Sequence, residues 1–560
     1  MPPSPAFSGE IIDKAAVSQY NMFRNFCNTI INGMPARAPD GGGVCKNEDN
    51  IMSKTRGQKL SALLCGAAMA VLLAVLLTLT VSSMLLTVRE FDDNAAMGEM
   101  LLFQADRPLV NLLLTAGMIA VLALAARLLR AGQRKHLMRW LLALWLGATV
   151  FFLWGVRLQP RVDQLRVLDA ALRFSRGDYS PMHNVYFHNY SYQLGVCLFF
   201  EAIARLLPGL DLALTVQILN AVMTVGIVLV LQRFLALLTD DANAQHALNA
   251  MLLLFLPMGL YCIYVYGTIP MLLLTVCAFW GFALYARSLR ARHGIAWAAC
   301  IALSVFMKPN AQLNLLVLVA ASALLALNRR TFKPLLYAGL AVLLSMLLPR
   351  LAQWQYELRS GVTLTDDLSM LSRLVMGFQR STAGAGWYNG YTERFSSWIM
   401  PKEESRAIIL SDAAALAAEF AADPAMLLRF LEEKCASLWL EPSYSTLWAG
   451  SVSELLGRFN GLGFLLYREN SAMRTALERG MDIYQQAMYA LCCLGVLRTL
   501  RKRADPVQLL LPLTVLGGFA YHLLFEAKSQ YIYPYAMLMI PLAAQGVAAL
   551  MAAVRKARQK

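Results

Sequence analysis

From residue 61 onward the chain is dominated by apolar runs approaching 20 residues, the length that spans a bilayer as a helix. Such segments fall near 61–88, 109–130, 138–157, 191–207, 212–236, 247–266, 269–286, 294–307, 311–327, 334–350, 484–499, 507–525 and 531–553. Longer polar stretches occupy 89–108, 158–190 and 351–483. Within 161–177, Val162, Leu165, Leu168, Ala171 and Leu172 recur at helical spacing, which predicts an amphipathic helix on the membrane surface. Asp423-Pro424 reads as an N-cap with Pro at the first helical position. The pattern predicts an all-α polytopic membrane protein of about 12–14 crossings, with a helical extracytoplasmic domain over 351–483. The expected organisation is 1–53 as an extension, 54–350 and 484–560 as membrane helices, and 158–190 as an outer loop.

Charge sets the orientation. Arg127, Arg130, Arg134, Lys135 and Arg139 crowd one short connection, Arg287, Arg290 and Arg292 a second, and Arg329, Arg330 and Lys333 a third. Arg498, Arg501, Lys502 and Arg503 make a fourth, and Arg555, Lys556, Arg558 and Lys560 end the sequence. Cytoplasmic loops collect such residues, so both termini are expected in the cytoplasm of a plasma-membrane protein. That requires an even number of crossings. Thirteen segments violate it, and the conflict falls between about 191 and 246.

Composition agrees. The 560 residues are 58% hydrophobic and 15% charged, against roughly 45–50% and about 25% in soluble domains. Disordered, collagen-like and disulfide-scaffold chains are excluded. The net charge of +15 belongs to the loops, and no nucleic-acid-binding signature accompanies it. Ten cysteines show no disulfide or zinc spacing. The first 53 residues carry Pro2, Pro3, Pro5 and a Gly41–Gly43 run but no long apolar segment. They read as a cytoplasmic tail, or as sequence upstream of a natural start at Met52.

The second polar stretch concentrates chemistry. It runs from Pro160-Arg161-Val162-Asp163 through Gly177-Asp178-Tyr179 to His188-Asn189-Tyr190-Ser191-Tyr192-Gln193-Leu194-Gly195. A carboxylate, a histidine, amides and phenols at the mouth of a helix suit a polar ligand held at the interface. Spacing alone leaves Asp163 open between helix cap and catalyst. Farther on come Tyr264-Val265-Tyr266-Gly267, Lys308-Pro309-Asn310, Met376-Gly377, Gly386-Trp387-Tyr388-Asn389-Gly390-Tyr391, Trp439-Leu440-Glu441-Pro442, and Glu526-Ala527-Lys528-Ser529-Gln530-Tyr531.

This ordered set resembles the GT-C superfamily of polytopic glycosyltransferases. The likeness is to bacterial, Gram-positive-type members related to protein mannosyltransferases and the aminoarabinose transferase of lipid A. It spans roughly 140–550. The chain departs from the pattern at Ser191, where Pro is usual, and at Gln530, where Arg is usual. The resemblance implies an inverting transferase that moves a sugar from a polyprenyl-phosphate donor to an envelope glycan, lipid or protein on the outer face. It implies Asp163 as base. Asp92 and Asp93, after the first helix, are the alternatives. His188, Lys308 and Lys528 are the candidates for the donor phosphate. Asp178, Tyr190, Gln193, Tyr266, Trp387, Tyr388, Asn389 and Glu526 are the candidates for substrate binding. No metal or other cofactor is expected; Asp366-Asp367 reads as a solvated acidic pair. The bilayer, the lipid-linked donor and the acceptor are the expected partners. The rival functions are a transporter or flippase, which calls for charge at mid-membrane, and an envelope polysaccharide ligase or polymerase.

Overall fold

The computed structural model describes residues 56–91, 99–131, 136–365, 369–396, 399–449, 460–468, 471–500 and 505–559. The expected extension, 1–53, lies outside them, as do Asp92, Asp93, Asp366 and Asp367. All described residues belong to one compact unit, Thr55–Lys560.

The unit is helical apart from one hairpin. Helix α1 (Arg56–Leu85) leads into β1 (Leu86–Phe91), which pairs antiparallel with β2 (Met100–Ala105) from Leu86↔Ala105 to Phe91↔Met100. Then come α2 (Pro108–Ala131), α3 (Leu137–Val156), α4 (Asp163–Ser175), α5 (Val185–Asn189) and α6 (Leu194–Leu206). A second series follows: α7 (Leu212–Leu238), α8 (Ala242–Leu254), α9 (Pro257–Leu260), α10 (Thr268–Ser288), α11 (Ala291–Met307), α12 (Gln312–Arg329) and α13 (Lys333–Ser360). The long polar region holds α14 (Met370–Gly377), α15 (Lys402–Ala422), α16 (Pro424–Trp439) and α17 (Asn460–Tyr467). Three helices close the chain: α18 (Ala472–Leu500), α19 (Leu510–Leu524) and α20 (Tyr533–Arg558).

Nine helices among the described residues are long and apolar enough to cross a membrane: α1, α2, α3, α7, α10, α12, α13, α19 and α20. The number is ten if α8 and the following Pro257–Ile263 turn, bent by 58°, form one span. Pro257 opens the second piece, and proline breaks the helical hydrogen-bond ladder there. The exposed apolar side chains on these helices, Leu113, Leu144, Leu316 and Met346 among them, mark surface that lipid covers.

The basic connections meet at one end of the bundle. Arg130 donates to Asn243 Oδ1 at 2.7 Å, Arg498 pairs with Asp241 at 2.7 Å, Arg329 reaches Ala286 O at 3.3 Å, and Arg287 reaches Leu237 O. The hairpin, α4–α6 and α14–α17 gather at the other end. Val88 N–H bonds Leu440 O at 3.0 Å, which joins β1 to the chain after α16. Trp387, Trp439 and Tyr444 share one hydrophobic cluster with the bundle helices.

The parity conflict has a structural origin. Segment 191–207 is α6, only 13 residues, roughly 20 Å at 1.5 Å per residue and short of a ~30 Å hydrocarbon core. It does not traverse. Glu201 on α6 pairs with Arg359 at the far end of α13. Just beyond α6, Asp211 pairs with Arg157, the residue after α3, at 2.9 Å. Both ends of α6 therefore lie at the end of the bundle away from the basic loops. Apolar composition alone could not separate a short crossing from a helix buried among others.

Candidate functional site

Asp163 is the first residue of α4, not its cap. The cap position is Val162, with φ +48° and no side-chain cap hydrogen bond. A β-branched residue at positive φ is an outlier held by its surroundings. The holding contact is next door: Gln164 Oε1 accepts from Val265 N–H at 2.8 Å, which ties the start of α4 to the Tyr264–Gly267 turn. Asp163 is thereby brought to Tyr266, whose hydroxyl donates to its Oδ2 at 3.3 Å. Gln193 Nε2 donates in turn to the Tyr266 hydroxyl oxygen.

The amphipathic face of α4 differs from the expected one. Gln164, Val167, Leu168, Ala170, Ala171 and Phe174 are buried, whereas Val162 and Leu165 are exposed. The true stripe starts two residues later because Gln164 is spent on a backbone bond and packs inward.

Lys308 sits at the C-cap of α11. Its Nζ donates to Thr268 Oγ1 at 2.8 Å and lies 4.7 Å from the centre of the Tyr266 ring and 5.9 Å from that of Tyr531. One phenol thus separates the Asp163 carboxylate from the Lys308 ammonium. Close helix approach places Lys308 there: a Cβ on Gly195 would stand 2.1 Å from Phe306 O. Burial pulls the Lys308 pKa down to about 7, with Asp163 pulling the other way. Asp163 keeps one side open; its withdrawal from bulk water raises its pKa, opposed by Arg166, Lys528 and the Tyr266 hydrogen bond.

The motif after α19 completes the cluster. Lys528 pairs with Glu99 and lies 4.3 Å from the Trp448 ring centre; Arg161 lies 4.8 Å from the same ring. Tyr531 donates to Glu526 Oε1 at 3.0 Å. Burial raises the Glu526 pKa, with Lys528 opposing. Ala527 N–H bonds Gly386 O at 2.7 Å, so the Gly386–Tyr391 motif is stapled to this one. Tyr388 feels the charge of Glu393 and Glu526 and the Tyr190 phenol. The Tyr190 ring lies 5.1 Å from that of Tyr186, tilted by 48°, and feels Glu393, Asp163 and Glu526.

Asp163, Tyr190, Gln193, Tyr266, Lys308, Tyr388, Glu526 and Lys528 are thus brought together. Others stand apart. Asp178 lies beyond the C-terminus of α4, roughly 20 Å of helix from Asp163, where its carboxylate accepts from Ser180 N–H at 2.9 Å and pairs with Arg173. Trp387 is fully buried and donates to Ser437 Oγ at 3.0 Å. Asn389 organises its own turn through Gln379 and Tyr391. Buried His188 faces Thr365 Oγ1 at 3.2 Å.

Several residues were not among the site candidates, although Glu441 lay in a motif already singled out. Glu90 on β1 accepts from Ser529 Oγ at 2.9 Å and from Ser445 Oγ, and burial drives its pKa up to about 8. Glu441 accepts from the N–H groups of Ser443 and Ser445 at 2.9 and 2.8 Å. Arg373 lies 5.1 Å from the Tyr192 ring centre. Lys434, fully buried, reaches Gly377 O and faces Glu526. Lys434 follows Glu432 and Glu433 in a charged stretch of α16 and reads as a solvated residue, and Glu90 lies two positions before Asp92, so neither stood out in the sequence. Among the described residues no group of three or more His, Cys, Asp or Glu is arranged to hold a metal.

Beside Lys308 a narrow crevice of about 20 Å³ opens between α10, α12 and α20, lined by Asn310, Asn314, Gln530, Tyr531 and Leu538. Asn314 Oδ1 is buried there without a hydrogen-bond partner. No family model matches the chain, and no curated protein matches it.

Proposed function

We propose that the chain is an inverting membrane glycosyltransferase that takes a sugar from a polyprenyl-phosphate donor at the face opposite its basic loops. The observation that carries this reading is the placement of Asp163 and Lys308 on either side of Tyr266, with Lys528 in the same cluster. In this account α8–α9, α11 and α18 cross alongside the nine long apolar helices. The twelve crossings are even in number, and the basic loops and both termini lie in the cytoplasm.

The chemistry follows from the charges. An acceptor hydroxyl attacks the anomeric carbon as the bond from that carbon to the phosphate oxygen breaks. The hydroxyl proton passes to Asp163, a general-base role. Tyr266 orients the carboxylate through its hydrogen bond. Negative charge grows on the departing phosphate, and the ammonium groups of Lys308 and Lys528 stabilise it. Lys528 exchanges Glu99 for the phosphate as the donor binds. Attack opposite the leaving group in one displacement inverts the anomeric centre.

Membranes carrying wild type or Asp163→Asn at equal expression, incubated with a radiolabelled polyprenyl-phosphate sugar pool, test the reading. Donor loss in wild type alone supports it. Equal loss in both moves the base elsewhere, first to Asp92 or Asp93. No loss with any donor, in extracts that supply acceptors, overturns it.

A further inference from the structure

A second, larger cavity of about 460 Å³ lies between the 379–394 segment and α15. Gln379, Asn389, Tyr391, Arg394, Asp412 and Glu419 supply its polar lining, with Ala415 and Leu416 as the apolar part. Asp412 Oδ2 accepts from the Tyr391 hydroxyl at 2.7 Å, and Asn389 Nδ2 donates to Gln379 Oε1 at 2.9 Å. Planar amide, carboxylate and guanidinium groups therefore share one groove; Asn389 and the Tyr391 hydroxyl hold its wall together, and the Arg394 guanidinium, the Glu419 carboxylate and the second Asp412 oxygen face hydroxyls of a ligand.

The groove adjoins the Asp163 cluster through one short turn. Tyr388 and Glu393 lie toward Asp163: the charge of Glu393 is felt by Tyr388, Asp163 and Tyr190. Asn389, Tyr391 and Arg394, interleaved with them, line the groove on the other side. A ligand laid over this turn has one end beside Asp163 and its body among the amides and carboxylates.

We infer that this groove binds the acceptor, and that the acceptor is an uncharged oligosaccharide. The inference rests on the transferase reading for the word acceptor; the groove's choice of ligand stands on its lining alone. A lipid needs apolar walls, and Ala415 and Leu416 supply little. An extended peptide needs a free strand edge or apolar anchor pockets, and the groove is bounded by a helix and a loop. A polyanionic glycan meets two carboxylates against one guanidinium. Linked neutral sugars present hydroxyl pairs that match the carboxylates and the guanidinium of the groove.

The test is direct binding to the purified full chain in nanodiscs, with maltotetraose, chitotetraose and mannotetraose as probes and tetragalacturonate as the anionic control. Wild type is expected to bind at least one neutral tetrasaccharide and not the anionic one. Ala415→Trp, an exposed position that fills the groove without entering the core, is expected to weaken binding at least tenfold. Glu419→Gln, also exposed, weakens it several-fold. Failure of all three neutral probes, or binding unaffected by Ala415→Trp, overturns the inference. Donor consumption measured in parallel separates the two claims. Consumption with no groove-dependent binding sinks the groove alone. Groove-dependent binding with no consumption sinks the transferase reading and leaves a glycan-binding membrane protein.

Discussion

Three side chains carry most of the argument, and each makes its own prediction. Asp163→Asn preserves size and the Tyr266 contact while removing the base, so transfer is expected to fall by about 10²–10⁴-fold with an unchanged melting profile. Lys308 is protonated only below about 7 in the free protein. kcat/KM for the donor is therefore expected to fall as pH rises through 7. Lys308→Arg, which stays charged, is expected to flatten that alkaline limb; a limb that persists in the variant removes Lys308 from the phosphate. Glu90 tests the frame around the site. Its pKa rises from the ordinary carboxylate range to about 8, so the folded state favours the neutral form. Its contribution to stability is complete below the unfolded pKa and is lost as pH rises through 8. Glu90→Gln is neutral at every pH. The gap in melting temperature between variant and wild type is expected to widen in the variant's favour from pH 5 to pH 9, and a constant gap contradicts the account.

At the scale of elements, the site depends on how closely helices approach. Gly195 lets α6 touch the backbone of α11 two residues before Lys308, because any Cβ there collides with Phe306 O at 2.1 Å. Gly195→Ala is expected to cost about 1–3 kcal/mol, the usual penalty of overpacking, and to raise the donor KM because Lys308 moves with the end of α11. Loss of stability with an unchanged KM contradicts that coupling. Gly386 has the same character in the outer region. Its φ is +74°, and a Cβ would meet Lys434 Cε at 2.5 Å and Gly377 O at 2.8 Å. The motif glycines were visible in the sequence, but their partners were not. Close approach is a property of two elements, and one element's sequence records only that a side chain is missing. The β-hairpin was hidden for a related reason. β1 begins inside the apolar run read as a crossing, and β2 lies in the stretch read as a polar loop, where Leu101, Leu102 and Phe103 run together instead of alternating.

For the whole molecule, sidedness was legible early. The positive-inside pattern placed the basic connections at one end, and ion pairs from Arg498 and hydrogen bonds from Arg130 and Arg329 gather them there. The number of traversing helices was less legible, because α6 is as apolar as a crossing and α18 begins with Arg474, Glu478, Arg479 and Asp482 before its apolar half. Half the site was readable from motifs in one stretch or another. The pairing of Asp163 with Lys308 was not, since 145 positions separate them and only the fold sets them across one phenol. The claim with most at stake is single-displacement transfer from a lipid phosphate with Asp163 as base. The direct measurement is the anomeric configuration of the glycosidic product formed by the purified full chain from a polyprenyl-phosphate sugar of defined anomer, read by NMR alongside release of the lipid phosphate. The account predicts an inverted product and one lipid phosphate released per sugar transferred, with both lost in Asp163→Asn. A product of retained configuration, or release undiminished in Asp163→Asn, contradicts it.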